Sequence, residues 1–139
     1  KTWRGLIGGI SAGISLGIVQ LYVAFPFDRL DYFGFGGFPE NLGVVVALAA
    51  GSLLGDMAGS FVKRRLDIGR GAKAPLMDQY TFLLGSFLLA LLTFPDWVLD
   101  NFWRNDGWVS LLAVLVITPL LHRGVNIIGY KMGLKKVPW

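Results

Sequence analysis

Residues 41–62 read NLGVVVALAAGSLLGDMAGSFV, a run without charge except for Asp56, and they lead directly into KRRLDIGRGAKAPLMDQ over residues 63–79. At about 1.5 Å rise per residue such a run crosses a hydrocarbon core of about 30 Å as a single helix. The first stretch is therefore a spanning helix with one buried carboxylate. Asp56 precedes Lys63 by seven residues, which puts it roughly 10 Å inside the charged end of that helix. A carboxylate at that depth costs at least about 2.5 kcal/mol unless it faces a hydrated or ligand-filled cavity, so it is a candidate functional group. A buried ion pair with a neighbouring arginine is the purely structural alternative. Steps of four and three residues place Ser52, Asp56, Ser60 and Lys63 on one face. Gly55 and Gly59 flank that face and leave room for a bulky group.

Composition extends this reading to the whole chain. Of the 139 residues 54% are hydrophobic and 16% charged, and the mean hydropathy is +0.58, where globular domains have about 45–50% and 25%. A polytopic, all-α bundle of transmembrane helices follows, one integral-membrane domain over residues 1–139. Cysteine is absent and there is one histidine, which excludes disulfides, thiolate chemistry and a histidine-rich metal cluster. The sequence opens at Lys1 without methionine or a leader pattern, and further residues upstream are expected.

Four spans are predicted, over residues 5–25, 41–62, 79–95 and from 107 to about 122. The last continues amphipathically through Asn126 and Tyr130, with Pro119 as a candidate kink. Gly5, Gly9, Gly13 and Gly17 in the first span, and Gly51, Gly55 and Gly59 in the second, lay bare backbone along one face, so these two helices are expected to pack together. The glycine-rich, aromatic turn between Pro26 and Glu40 is expected at the interface. Residues 63–78 form a basic loop, and a polar link carries Asp96, Asp100, Arg104 and Asp106. Eleven of the thirteen lysines and arginines fall on one side of this topology. The positive-inside rule then places both termini and the basic loop in the cytoplasm. Because the basic excess follows topology and no recognition motif accompanies it, a nucleic-acid partner is excluded.

Asp78 stands where the third span begins, a position that suits a plain helix cap and equally a group near an anion site. Two carboxylates separated by Lys63, Arg64, Arg65 and Arg70 suggest Mg²⁺ on Asp56 and Asp78 with the cationic side chains clamping phosphates. A loop that only touches anionic lipid would carry the same charges.

Asp56, Ser60, the Arg64-Arg65 pair, Arg70-Gly71, Pro75, Asp78 and Gln79 together resemble the C-terminal signature of the CTP:phosphatidate cytidylyltransferases. The opening Lys1-Thr2-Trp3-Arg4-Gly5-Leu6-Ile7-Gly8-Gly9 is similar to that family's Lys-Thr-Trp-Glu-Gly-Phe-Ile-Gly motif. The short archaeal branch, the CDP-archaeol synthases, is the nearest resemblance; His122, Asn126, Tyr130, Gly133 and the ending Val137-Pro138-Trp139 fit its pattern. The sequence departs from the bacterial pattern at Arg70-Gly71, where a Lys-Asp pair is usual, at the shortened turn 72–77, and at Gln79, where arginine is usual.

The resemblance implies a CTP-dependent cytidylyltransferase that passes CMP to 2,3-bis-(O-geranylgeranyl)-sn-glycerol 1-phosphate and releases diphosphate. It implies Mg²⁺ as cofactor on the catalytic Asp56 and Asp78, and it also implies a fifth, leading apolar helix. Arg64, Arg65 and Arg70 would hold the triphosphate, while Lys63 and Ser60 orient the lipid phosphate or the metal shell. Lys1, Thr2, Arg4 and Gln79 would border the pocket, and His122 and Asn126 would contact the base or cap the site. The glycine-spaced faces of the first two helices would leave a groove for the isoprenoid chains. The expected partners are CTP, an isoprenoid glycerol phosphate and the cell membrane, and the assembly could be a homodimer. A small transporter using Asp56 as a proton or cation relay, and a basic-loop membrane anchor, remain open alternatives.

Overall fold

The protein, seen in a computed structural model, is described for residues 2–24, 36–69, 72 and 74–134. These residues are helical, with no strand among them: α1 Trp3–Ala24, α2 Glu40–Arg65, α3 Pro75–Thr93, α4 Pro95–Phe102 and α5 Gly107–Lys131. α1, α2, α3 and α5 are long and apolar enough to cross a membrane. Large apolar side chains such as Leu16, Leu84, Leu120 and Leu121 lie exposed along them. In a water-soluble protein such surfaces would aggregate; in a multi-pass membrane protein they face lipid.

The core is thin and is held by backbone approach rather than by large side chains. α2 packs most extensively on α3, and the contact is made where both helices lack side chains. A Cβ added at Gly51 would meet the Gly85 carbonyl oxygen at 2.5 Å, and one at Gly55 would meet the Gly85 Cα at 2.8 Å. Ala90 is fully buried at the same seam, and the Ser86 hydroxyl sits 3.1 Å from the Leu48 carbonyl and 2.9 Å from that of Phe82. It can donate to one of them at a time, which keeps this buried hydroxyl satisfied in either state.

α1 packs on another side of α2, as expected, but through its own glycines and not through those of α2. Gly9, Gly13 and Gly17 do face α2, where Leu53, Ala49 and Val45 fill the groove. The glycines of α2 turn away from α1 and are taken by α3. The two small-residue faces therefore do not meet, because small residues facing small residues would leave a void, whereas a glycine facing Val45 or Leu53 interlocks. Thr2 starts α1 as its cap, its Oγ1 accepting the Gly5 N–H at 3.2 Å.

The ends of the helices also move relative to the sequence reading. Lys63, Arg64 and Arg65 are not in a loop but in the last turn of α2, where cations face the negative end of the helix dipole. Pro75 opens α3 four residues before the predicted start, proline being favoured at the first helical position. The basic connection thus shrinks to residues 66–74.

The polar link hides a short amphipathic helix, α4, whose Phe102 packs edge-on against Phe87 and Trp97 at ring-centroid distances of 4.7 and 5.9 Å. Arg104, on the exposed side, donates to Asp100 at 2.6 Å and to Asp96 at 3.4 Å, and the bond and charge of Asp100 raise its pKa further above the ordinary arginine value. Pro119 lies inside α5 without ending it.

Backbone contact at Gly85 makes a direct stability prediction. Gly85→Val in detergent-purified protein lowers the unfolding free energy by about 3 kcal/mol or more, at the upper end of ordinary overpacking. Gly8→Ala, where nothing lies within 4 Å, stays within about 0.5 kcal/mol. Thermal unfolding followed by circular dichroism separates the two.

Candidate functional site

The end of α2 is shaped by a helix-terminating turn. The Ile68 N–H donates to the Lys63 carbonyl at 3.0 Å and the Asp67 N–H to that of Arg64 at 3.3 Å. This paired pattern requires a left-handed residue at its centre, and Asp67 adopts φ 55°. The end of α5 uses the same device with Gly133 at φ 73°, its natural occupant. Stopping α2 here leaves its last turn beside the first turn of α3.

That reversal brings Lys63 and Asp78 together. The Lys63 Nζ forms an ion pair with Asp78 Oδ1, the two side chains being 20% and 29% exposed. The other carboxylate oxygen, Oδ2, accepts the Ala74 N–H at 3.1 Å, so both oxygens of Asp78 are oriented.

The three consecutive basic residues divide their tasks. Lys63 alone of them reaches Asp78. Arg64 is exposed and donates to the Ile68 carbonyl at 3.1 Å, while the guanidinium of Arg65 lies 5.3 Å from the ring centroid of Phe61. Both side chains are exposed to solvent.

Asp56 lies about two turns deeper than Lys63 on the same edge of α2, with an exposed side chain. Ser60, between them, is half-buried. The room expected beside Gly55 and Gly59 is not there, because α3 occupies it: a Cβ at Gly59 would touch the Thr81 hydroxyl at 2.5 Å. Thr81 itself donates to the Met77 carbonyl at 2.7 Å.

The start of α1 reaches the same end of the molecule. Thr2, Trp3 and Leu6 line a hollow of about 230 Å³ with Met57, the residue after Asp56. Arg4 is exposed one residue along α1, and Gln79 is half-buried beside Asp78.

α5 closes the opposite side. His122 stacks on Phe82, ring centroids 6.1 Å apart and planes 28° from parallel, and its Nδ1 lies 3.3 Å from the Asn126 amide nitrogen. Asn126 is 5% exposed. Phe82 is one turn beyond Asp78 on α3, so the His122–Asn126 pair sits one turn from the carboxylate. Phe82 and the Ala74 N–H are the site features that the sequence reading missed. The four-residue step from Asp78 to Phe82 was the available signal for the first, whereas a backbone donor leaves none.

Lys1 and Arg70 lie outside the described residues, as do Gly71, Lys73 and the ending Val137-Pro138-Trp139. The groove assigned to the glycine faces of α1 and α2 is also displaced. An apolar groove of about 420 Å³ runs instead between α2 and α3, along Leu54, Ala58 and Val62 on one side and Leu84, Leu88 and Leu92 on the other. It flanks the glycine seam on the side away from Asp56.

The chain is similar to known proteins along its whole length. A family model described as "CarS-like: CDP-archaeol synthase" matches residues 1–139. A CDP-archaeol synthase of Methanospirillum hungatei is 50% identical over 139 residues, which cover all of this chain and 78% of the relative. One of Methanocorpusculum labreanum is 45% identical over 147 residues, covering all of this chain and 80% of the relative, and one of Picrophilus torridus is 42% identical over 143 residues, covering 74% of it. No solved structure matches at a comparable level.

The left-handed Asp67 supplies a test of the local geometry. Asp67→Gly removes the cost of placing a side chain at positive φ and raises the unfolding free energy by up to about 1 kcal/mol, part of the gain being offset by backbone entropy. Asp67→Val at the same position lowers it. Denaturation midpoints of the three proteins give the order.

Proposed function

The chain belongs to the CDP-archaeol synthase family, and we propose that the α2–α3 reversal, with the start of α1 and the His122 face of α5, is where it performs the family's reaction. The protein is an enzyme, a CTP-dependent cytidylyltransferase acting on an isoprenoid glycerol phosphate in membrane lipid synthesis. The relatives described above bear no transporter name, and the relay reading of Asp56 finds no support. The observation that carries the reading is the match of the family model to every residue of the chain.

In the reaction a phosphate oxygen of 2,3-bis-(O-geranylgeranyl)-sn-glycerol 1-phosphate attacks the α-phosphorus of CTP. One phosphorus–oxygen bond forms, the α–β bridging bond breaks, and diphosphate leaves. The nucleophile is already an anion near neutrality, so the site has little proton transfer to perform. It must bring two anions together and stabilise the charge that gathers on the leaving group.

The side chains suit that demand. Arg64 and Arg65, exposed at the end of α2, supply planar donors to the triphosphate and the departing diphosphate. Arg70 joins them in this assignment. Lys63 supplies a point charge to the lipid phosphate, and Ser60 a hydroxyl. Thr2, Arg4 and Lys1 border the nucleotide from α1, with Gln79 beside Asp78. The flat pair of Phe82 and His122, with the Asn126 amide beside it, offers a stacking surface and hydrogen-bonding groups of the kind that a pyrimidine base requires.

The donor set also fits Mg²⁺. Among the described residues no group of three or more histidine or acidic side chains gathers, and Mg²⁺ bound with nucleotide normally takes one or two carboxylates and completes its shell with water and phosphate oxygens. A cationic ammonium rests on Asp78 Oδ1, the position a divalent ion would use. Asp56 and Asp78 are the ligands in this assignment. When bound, the ion neutralises phosphate oxygens and favours departure of diphosphate.

The family substrate is amphiphilic, so the site belongs at a membrane boundary. The clustered cations at the end of α2 support a site that faces the cytoplasm, where CTP is available.

Membranes containing the protein, given radiolabelled CTP, Mg²⁺ and the unsaturated archaeal lipid phosphate, should form a labelled CDP-lipid. Asp56→Asn and Asp78→Asn should each lower the rate by at least about a hundredfold, the scale on which electrostatic transition-state groups act, with folding unchanged by circular dichroism. Full activity of either variant would overturn the site assignment, and absence of CDP-lipid from the wild type would overturn the reaction.

A further inference from the structure

Lys63 occupies an unusual place for a phosphate-binding lysine. Its ammonium is spent on Asp78, the residue assigned above as a metal ligand, and it meets Oδ1 while the Ala74 N–H holds Oδ2. An ammonium and a divalent ion cannot both sit on the same carboxylate oxygen. The neighbouring Arg64 and Arg65, equal in charge, are turned to the Ile68 carbonyl and to Phe61.

We infer that Lys63 is an exchangeable stand-in for the metal: it holds Asp78 in place until a divalent cation displaces it, and the displaced ammonium then becomes free to take the lipid phosphate. The inference rests on the assignment of Asp78 as a metal ligand. Three properties of the pair suit exchange. Both side chains retain partial exposure, at 20% and 29%, so the ion can reach the carboxylate and water can solvate the departing ammonium. Lysine is a compact charge on a flexible four-carbon stem and carries no fork that would bind bidentately, so it releases more readily than arginine would. The Ala74 N–H keeps Oδ2 fixed throughout, and Asp78 need not reorient when its partner changes.

The exchange couples loading of the site to readiness for chemistry. Without metal, the lysine neutralises a half-buried carboxylate and ties the end of α2 to the start of α3. With metal, the same charge turns to the second substrate. Lys63 is then a positioning residue for the carboxylate in one state and a substrate ligand in the other.

Manganese binding by electron paramagnetic resonance, on detergent-purified full-length chain without CTP or lipid, tests this. Lys63→Met removes the competitor, and Mn²⁺ should bind about two- to fivefold tighter than to wild type, the upper part of the range expected for loss of a partly exposed ion pair. Arg64→Met removes an equal charge one residue away without touching Asp78 and should change the affinity by less than about twofold. In CMP transfer, Lys63→Met should lower kcat without raising the Mg²⁺ concentration needed for half-maximal rate. Lys63→Gln provides the same comparison should the methionine variant fail to fold. Equal or weaker Mn²⁺ binding by the lysine variants, or equal tightening by Arg64→Met, would overturn the exchange while leaving the metal site standing. Equal Mn²⁺ binding by wild type and Asp78→Asn would instead overturn the metal assignment beneath it.

Discussion

Everything in this molecule depends on how closely α2 can approach α3. In lipid, apolar side chains gain little by leaving one hydrocarbon surface for another, so helix association rests on van der Waals contact and on hydrogen bonds. Gly51 and Gly55 set against Gly85 bring the two backbones into direct contact, and Ser86 and Thr81 put hydroxyls along the same seam. Larger residues here would push the helices apart. The distance between the end of α2 and the start of α3 would grow with them, and Lys63 could no longer meet Asp78.

The site is thus a consequence of the seam. A short reversal, ended by the left-handed Asp67, delivers a cationic helix end to the first turn of the next helix. That arrangement concentrates positive charge beside Asp78, where the proposed reaction has phosphate to handle. α1 and α5 add the remaining walls, each through a small contact: the Thr2 end of α1 against Met57, and His122 against Phe82. The apolar groove on the far side of the seam shows that a lipid-facing surface and a polar site can share the same two helices.

Much of this was legible in the residues, and what was not has physical reasons. Uncharged runs of adequate length identified the four spans, since length against bilayer thickness is a strong constraint. Asp56 and Asp78 stood out because carboxylates at such positions are rare without a reason. The glycine spacing of α2 identified an interface but not its partner, because small residues specify close approach and not what approaches. Lys63 to Arg65 looked like a loop by charge, whereas the helix dipole and the cap at Asp67 extend α2 through them. α4 escaped notice because eight residues of mixed polarity carry no span signal. Its aromatic contacts with α3 are long-range and invisible to local pattern.

The central claim is that one aspartate from each of the two packed helices meets the same metal-bound nucleotide. The most direct measurement is electron–nuclear double resonance on the Mn²⁺-substituted protein with CTP and with aspartate carboxyls labelled by carbon-13. The account predicts phosphorus couplings from CTP together with carbon couplings that weaken in Asp56→Asn and again in Asp78→Asn. Phosphorus couplings without any carbon coupling, or carbon couplings unchanged in both variants, would contradict it.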